Sequence, residues 1–232
     1  MSDLPQLVLI PGLLNDADLW RDQIAGLSDV ARPVVADITR GETLSALASG
    51  VLAGAEGRFA LAGFSLGGIV ALEIMRIAPE RVSHLALLDT TMLPDSPDRA
   101  QERRRLIATA RNPGKFHGFG EHLLHTYLAP EHLGNTEMVE RVRAMTARLG
   151  PEVFARQSLI DRPDSRATLA RLRCPVLVLC GEHDALTPPE LHREMAVAIP
   201  FSRLDIVPHA GHLTPIEQPQ AVTSALLHLL RS

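Results

Sequence analysis

No run of apolar residues among these 232 approaches the roughly 20 that a helix needs to cross a bilayer, which excludes a membrane-spanning helix. Basic residues are not in excess either: 23 Lys and Arg against 27 Asp and Glu leave a net charge of −4. Phosphate binding needs a basic footprint, so nucleic acid is not expected as the main partner. The opening residues, Met-Ser-Asp-Leu-Pro, have neither the basic region nor the apolar stretch of a signal peptide, and the expected location is cytoplasmic. Cysteine is scarce: Cys174 and Cys180 flank Pro-Val-Leu-Val-Leu, which reads as one strand. Six residues of strand hold them about 20 Å apart, beyond the reach of a disulfide. Two unpaired thiols are expected, neither with partners for a zinc site. Internal repeats and low-complexity segments are absent from the sequence as well.

What is present is ordinary for a globular chain: 46% apolar and 22% charged residues, long enough for one core and an insertion. The stretch from Arg58 to Ala78 organises the rest. Phe59 to Ala62 is a short apolar run suited to a buried strand. Leu66 to Ala78 is apolar on almost every side and is bounded by Pro79, so it reads as a buried helix. Between them lies Gly63-Phe64-Ser65-Leu66-Gly67. Passing from strand to helix with almost no loop forces the middle residue into a strained backbone conformation. It also lifts the Ser65 hydroxyl clear of the sheet and aims free helix N–H groups at the same point.

Strand and helix alternate on both sides of this unit. Strands are expected at Leu7–Ile10, Pro33–Ala36, Val82–Leu88, Pro175–Cys180 and Ser202–Val207. Helices are expected from Asn15 or Asp16 to Leu27, over Thr43–Ala55 and Pro188–Ala198, and from Pro215 to Leu230. Each of the last two opens with Thr, Pro and a Glu three residues on, the pattern of a capping box at Thr187 and Thr214. The alternation predicts a parallel sheet with helices on both faces. It breaks between residues 94 and 164, where only helical patterns occur (97–110, 118–128, 136–149, 151–160), punctuated at Pro113-Gly114, Ala129-Pro130 and Gly150-Pro151. The expected division is a core of 1–93 and 165–232 with 94–164 as an inserted helical cap.

Ligands of open α/β sheets bind beyond the carboxyl ends of the strands. Those ends carry Pro11–Asp16, Asp37, Ser65, Asp89, Gly181–Leu186 and Pro208–Leu213. A serine alcohol needs a base to take its proton, and the base needs a carboxylate to hold its tautomer. His183, His209 and His212 are the histidines in reach of that edge, and Asp89 and Asp184 are candidate acids.

The strand–Gly-x-Ser-x-Gly–helix unit resembles that of the α/β-hydrolase family, and the likeness extends from Leu7 to Leu230. Gly-His-Leu-Thr-Pro-Ile-Glu at 211–217 is similar to the family's sequence around its catalytic histidine, implying His212 as base, with His209 as its rival. Gly-Glu-His-Asp at 181–184 matches the family's usual acid position, implying Asp184; Asp89 stands at the other position where that acid occurs. Pro11-Gly12-Leu13-Leu14 resembles the oxyanion loop, implying the Leu13 and Leu66 amides as donors. Pro11 departs from the family's frequent histidine, which puts the anchoring of that loop in question. Leu14 and Trp20 are expected at the substrate side of the cleft wall.

The fold implied is the α/β-hydrolase fold trimmed of its first two strands, leaving about six. The activity implied is serine-dependent cleavage of carboxylic esters through an acyl-enzyme. Thioesters, lactones and carbon–carbon bonds are alternative targets of the same triad, and a non-hydrolytic lyase or binder is a further class. Serine rather than aspartate at 65 argues against haloalkane dehalogenases and epoxide hydrolases of this fold. Neither cofactor nor metal is called for, and the partner is a small acyl compound acting on a monomer or homodimer. His122 and His125 lack the companions of a metal site, and Arg103-Arg104-Arg105 reads as a solvated face, since successive helix positions point apart.

Overall fold

The computed structural model describes residues 4–110, 116 and 118–232, so the expected break at Pro113-Gly114 lies outside the described residues. Six strands form one parallel sheet: β1 (Gln6–Ile10), β2 (Arg32–Val35), β3 (Phe59–Phe64), β4 (Val82–Leu88), β5 (Val176–Gly181) and β6 (Ser202–Val207). Their spatial order is β2-β1-β3-β4-β5-β6. Every residue of β1, β3 and β5 is buried, which is why they read as continuous apolar runs rather than alternating ones. The edge strands β2 and β6 are mostly half-buried.

The chain runs from β1 outward through α1 (Arg21–Leu27) to β2, then back past β1 through α2 (Leu44–Gly54) to β3. Right-handed crossovers therefore put α1 and α2 on opposite faces and open a crevice between β1 and β3, where the strand order reverses. Accordingly α1 packs on the last helix, α10 (Pro219–Leu230), whereas α2 packs on α3 (Leu66–Ile77). The register completes the alignment: Ile10 pairs with Gly63, Phe64 with Leu88, Leu88 with Leu179, and Gly181 with Val207. The carboxyl ends of five strands thus finish along one edge.

Between β4 and β5 lie α4 (Pro97–Ala110), α5 (Glu121–Tyr127), α6 (Thr136–Ser158) and the short α7 (Arg166–Leu169), with no strand among the described residues. Gly150 interrupts α6 at φ 77°, ψ 176° just before Pro151, so the two helices expected on either side of this pair meet at a kink. The closing helix is also divided: α9 (Thr214–Glu217) ends before Pro219, where α10 begins. Asp16 caps the helical turn that leads into α1, its carboxylate accepting from the Asp18 N–H at 2.9 Å. Cys174 and Cys180 are both free thiols. No helix among the described residues is long and apolar enough to cross a membrane.

Candidate active site

Ser65 occupies the turn between β3 and α3 with φ 51° and ψ −115°, a left-handed φ that a non-glycine residue adopts only where its surroundings impose it. Those surroundings are close. The Ser65 N–H donates to the Leu88 carbonyl at 2.9 Å, and the Ser65 carbonyl accepts from the Thr90 hydroxyl at 2.7 Å. A Cβ at Gly63 would overlap the Gly67 carbonyl, and one at Gly67 would overlap the Ile10 carbonyl. Both glycines are required by contact with neighbouring backbone, not by their own dihedrals.

His212 lies beyond β6 in a loop held from three directions. Its N–H donates to the Tyr127 carbonyl at 2.9 Å, and its ring packs against Phe64 and Tyr127 with centroids 5.2 and 5.3 Å away. Nε2 is 3.0 Å from Ser65 Oγ, and Nδ1 is 2.8 Å from Asp184 Oδ2. Asp184, after β5, is 3% exposed. Its Oδ1 accepts from the N–H groups of Leu186 and Thr187, each at 2.9 Å, and Oδ2 accepts from the Thr187 hydroxyl at 2.7 Å. Burial pushes this carboxyl up, but His212 and these hydrogen bonds outweigh it and hold the group below the ordinary aspartate value. A carboxylate fixed on Nδ1 leaves Nε2 free to accept the serine proton.

Asp89 follows β4 and is fully buried beside this group without bonding His212. Its Oδ1 accepts from the Gly181 N–H at 3.0 Å, and its Oδ2 pairs with the Thr214 hydroxyl. Burial, reinforced by the nearby Asp184 charge, raises its carboxyl well above the usual range. Of the other histidines at this edge, His183 is exposed, and His209 is exposed and paired with Glu131 at 2.8 Å.

Neither capping box forms. The Thr187 hydroxyl is taken by Asp184, and α8 (Pro189–Ala198) begins after Pro188 with no side-chain cap. Thr214 turns toward Asp89, so α9 starts without its hydroxyl. At both positions a buried carboxylate in the site competes for the hydroxyl more strongly than the helix N–H groups do.

Leu13 and Leu66 both border the cavity, and neither N–H donates to a protein acceptor among the described residues. Leu14 and Trp20 do not border it, contrary to the sequence expectation. Both are fully buried; Leu14 sits at φ 54°, and Trp20 packs edge-on against Phe64 with centroids 6.5 Å apart. Burying an indole and a leucine behind the loop satisfies the core, which leaves Leu13, itself only 8% exposed, to face the cavity.

The cavity has a volume of about 290 Å³. Its floor is Ser65, Leu66, Leu13 and His212; Ile69, Thr90 and Leu186 of the core border it too, and much of the rest comes from the helices between β4 and β5, including Leu106, Leu123, Tyr127 and Phe154. His122 borders it and His125 does not. Of the three consecutive arginines only Arg103 turns inward; Arg104 and Arg105 are exposed.

Three supporting residues take roles that the sequence did not announce: Gln157 and His192 carried no signature, and Glu217 was expected as the carboxylate of the Thr214 capping box. Gln157 of α6 is fully buried and accepts from the Leu14 N–H at 2.8 Å, while its own amide donates to the Ile38 carbonyl at 3.2 Å. This glutamine anchors the loop after β1, where the Pro11 ring offers no hydrogen-bonding group to do so. Glu217 accepts from the N–H groups of Gly211 and Leu213 at 3.0 Å each and from Ala129 at 2.7 Å, and pairs with His132 Nδ1 at 2.9 Å. It joins the His212 loop to the segment after α5. His192 accepts the Thr90 N–H on Nε2 at 3.1 Å while Nδ1 faces the Pro188 carbonyl at 3.2 Å; burial lowers its basicity, which suits this neutral tautomer.

With this geometry in view, comparison with known proteins is informative. Residues 7–225 match the profile described as "Alpha/beta hydrolase family". A thermophilic esterase from Thermogutta terrifontis, solved with malate bound, is similar in structure with a TM-score of 0.88 and 33% identity, covering 100% of this chain and 91% of that one. The enol-lactonase from Burkholderia xenovorans LB400 has a TM-score of 0.88 at 26% identity, covering 100% and 93%. The carboxylesterase YbfK of Bacillus subtilis is 27% identical over 99% of this chain and 81% of its own length.

Proposed function

The chain belongs to the alpha/beta hydrolase family, and from that premise we propose that it is a serine hydrolase cleaving carboxylic esters through an acyl-enzyme. One observation carries this reading: a serine hydroxyl opening on a cavity stands 3.0 Å from an imidazole whose other nitrogen is 2.8 Å from a buried carboxylate. The names of the esterase and carboxylesterase relatives support the same class of substrate.

In this mechanism Ser65 Oγ attacks the acyl carbon as its proton passes to His212 Nε2. The carbonyl oxygen becomes an oxyanion and takes the free N–H groups of Leu13 and Leu66, donors already oriented before charge develops. Asp184 stays ionised and stabilises the imidazolium without taking its proton. His212 then protonates the departing alcohol, deprotonates a water molecule, and that water releases the acid from Ser65. Residues 94–164 act as a cap whose apolar side chains exclude bulk water and strengthen each of these interactions.

A lactone is an internal ester and needs no further machinery; the enol-lactonase relative supports it as a second substrate class. Labelling by a fluorophosphonate tests the proposal: the wild-type protein should be modified on one serine, and Ser65→Ala should not. Persistent labelling in Ser65→Ala, or none in the wild type, would remove Ser65 as nucleophile.

A further inference from the structure

The part of the cavity wall contributed by the chain between β4 and β5 carries a charge that ester cleavage does not use. Arg99, Arg103 and Arg162 border the same cavity as Ser65 and His212, against the two carboxylates of Asp95 and Glu102. These acids do not neutralise the arginines evenly. Both oxygens of Asp95 are engaged by Arg103, whose Nε and Nη2 each lie 3.0 Å away. Glu102 has a side chain 56% exposed and its close partner is Arg105, at 3.6 Å outside the cavity.

Arg162 is left short of a partner. Its side chain is 7% exposed, and its nearest carboxylate oxygen, on Asp95, is 3.9 Å away. Its Nη1 donates to the Ile160 carbonyl, while Nε and Nη2 have no acceptor among the described residues. A guanidinium at this depth is ordinarily matched by a carboxylate in fork geometry. Burial and the repulsion of Arg103 lower its basicity, yet only to about 10, so the group stays charged at neutral pH. Tyr127 borders the same cavity; burial keeps its hydroxyl protonated by raising its pKa to about 12, and that hydroxyl has no protein partner among the described residues.

We propose that this wall of the cavity is a carboxylate subsite, and that the substrate is an ester or lactone bearing a second, ionised carboxylate held by Arg162 with Arg99 and Arg103. Binding supplies the acceptor that Arg162 lacks and orients the ester group of the same molecule toward Ser65. The inference rests on the hydrolase reading of Ser65 for its catalytic half, but its binding half stands on the arginines alone.

The test uses chain-matched pairs differing only in the terminal carboxylate: monomethyl adipate against methyl hexanoate, and 4-acetoxybutanoate against butyl acetate. In at least one pair the wild-type kcat/KM for the anionic member should exceed that for the neutral one by about tenfold or more. In Arg162→Met that ratio should fall toward one, with an intermediate value in Arg162→Lys, which keeps the charge but loses the fork. Should Arg162→Met fail to fold, the exposed Arg99→Gln should lower the same ratio by a smaller factor. Calorimetric titration of the same pairs into Ser65→Ala reads the preference without turnover. If nothing is hydrolysed while Ser65→Ala still favours the anion in an Arg162-dependent way, the ester-cleavage reading fails and the subsite stands. Equal or tighter binding of the neutral members, or an anion preference unchanged in Arg162→Met, would overturn it.

Discussion

Thr187 and His212 share one oxygen: Oδ2 of Asp184 accepts the threonine hydroxyl at 2.7 Å and faces the imidazole at 2.8 Å. The carboxylate is therefore oriented by its own loop before the histidine reaches it. Its other oxygen is fixed by the Leu186 and Thr187 amides. A side chain so completely held loses little entropy when the imidazolium forms.

Asp184→Asn should lower kcat by roughly 10⁴-fold, because an amide NH₂ at Nδ1 favours the wrong histidine tautomer. Asp89→Asn should cost less than about tenfold, since Asp89 bonds Gly181 and Thr214 and not His212. Steady-state kinetics on p-nitrophenyl butyrate would rank them. The reverse order would move the acid to residue 89.

Asp89 also has a pH signature in stability. Its unfolded carboxyl ionises near ~3.9, whereas the folded one is raised well above that by burial and Asp184. From the unfolded value up to the folded one, the folded state binds more protons than the unfolded, so wild-type stability contains a contribution that fades as pH rises through this window. Asparagine cannot ionise. Urea melts should show the stability of Asp89→Asn relative to wild type improving from pH 4 upward, and a pH-independent difference would refute the raised carboxyl.

Ser65→Ala and His212→Ala should each reduce turnover by roughly 10⁴- to 10⁶-fold, and the double variant by little more, because the pair acts as a unit. Near-additive losses in single-turnover measurements would mean that the 3.0 Å contact between them is not a catalytic one.

Gln157→Ala should strand the Leu14 N–H and the Ile38 carbonyl in the interior, at about 1–3 kcal/mol each. It should also lower kcat with KM little changed, since the loop it releases carries the Leu13 amide. A variant that loses stability but keeps full kcat would show that this glutamine serves the fold only.

Glu217→Gln should destabilise the protein by about 2–5 kcal/mol, because a carboxamide offers one acceptor oxygen where two now meet three backbone N–H groups and His132. Denaturant unfolding would measure the loss, and a change under about 0.5 kcal/mol would show the four contacts to be dispensable.

Local patterns carried much of this protein. A parallel sheet buried on both faces must be written as short apolar runs, so β1, β3, β4 and β5 announce themselves. A strand that turns into a helix without a loop must have small residues around its turn, so Gly63, Ser65 and Gly67 can be read directly. Residue order along the chain then limits which histidine and which aspartate can follow. Contacts between distant segments leave no such trace. Whether Thr187 caps a helix or holds Asp184 depends on which acceptor the fold brings nearer, and Gln157 and Glu217 reach loops 143 and 88 residues away. The inward turn of Arg103 and the shortage of partners around Arg162 exist only once the helices after β4 close over the sheet. Amino-acid sequence alone determined the strands, the elbow and the set of candidate acids and bases; packing in three dimensions decided which of them touch, because hydrogen bonding and charge depend on distances of a few ångströms that no spacing along the chain encodes.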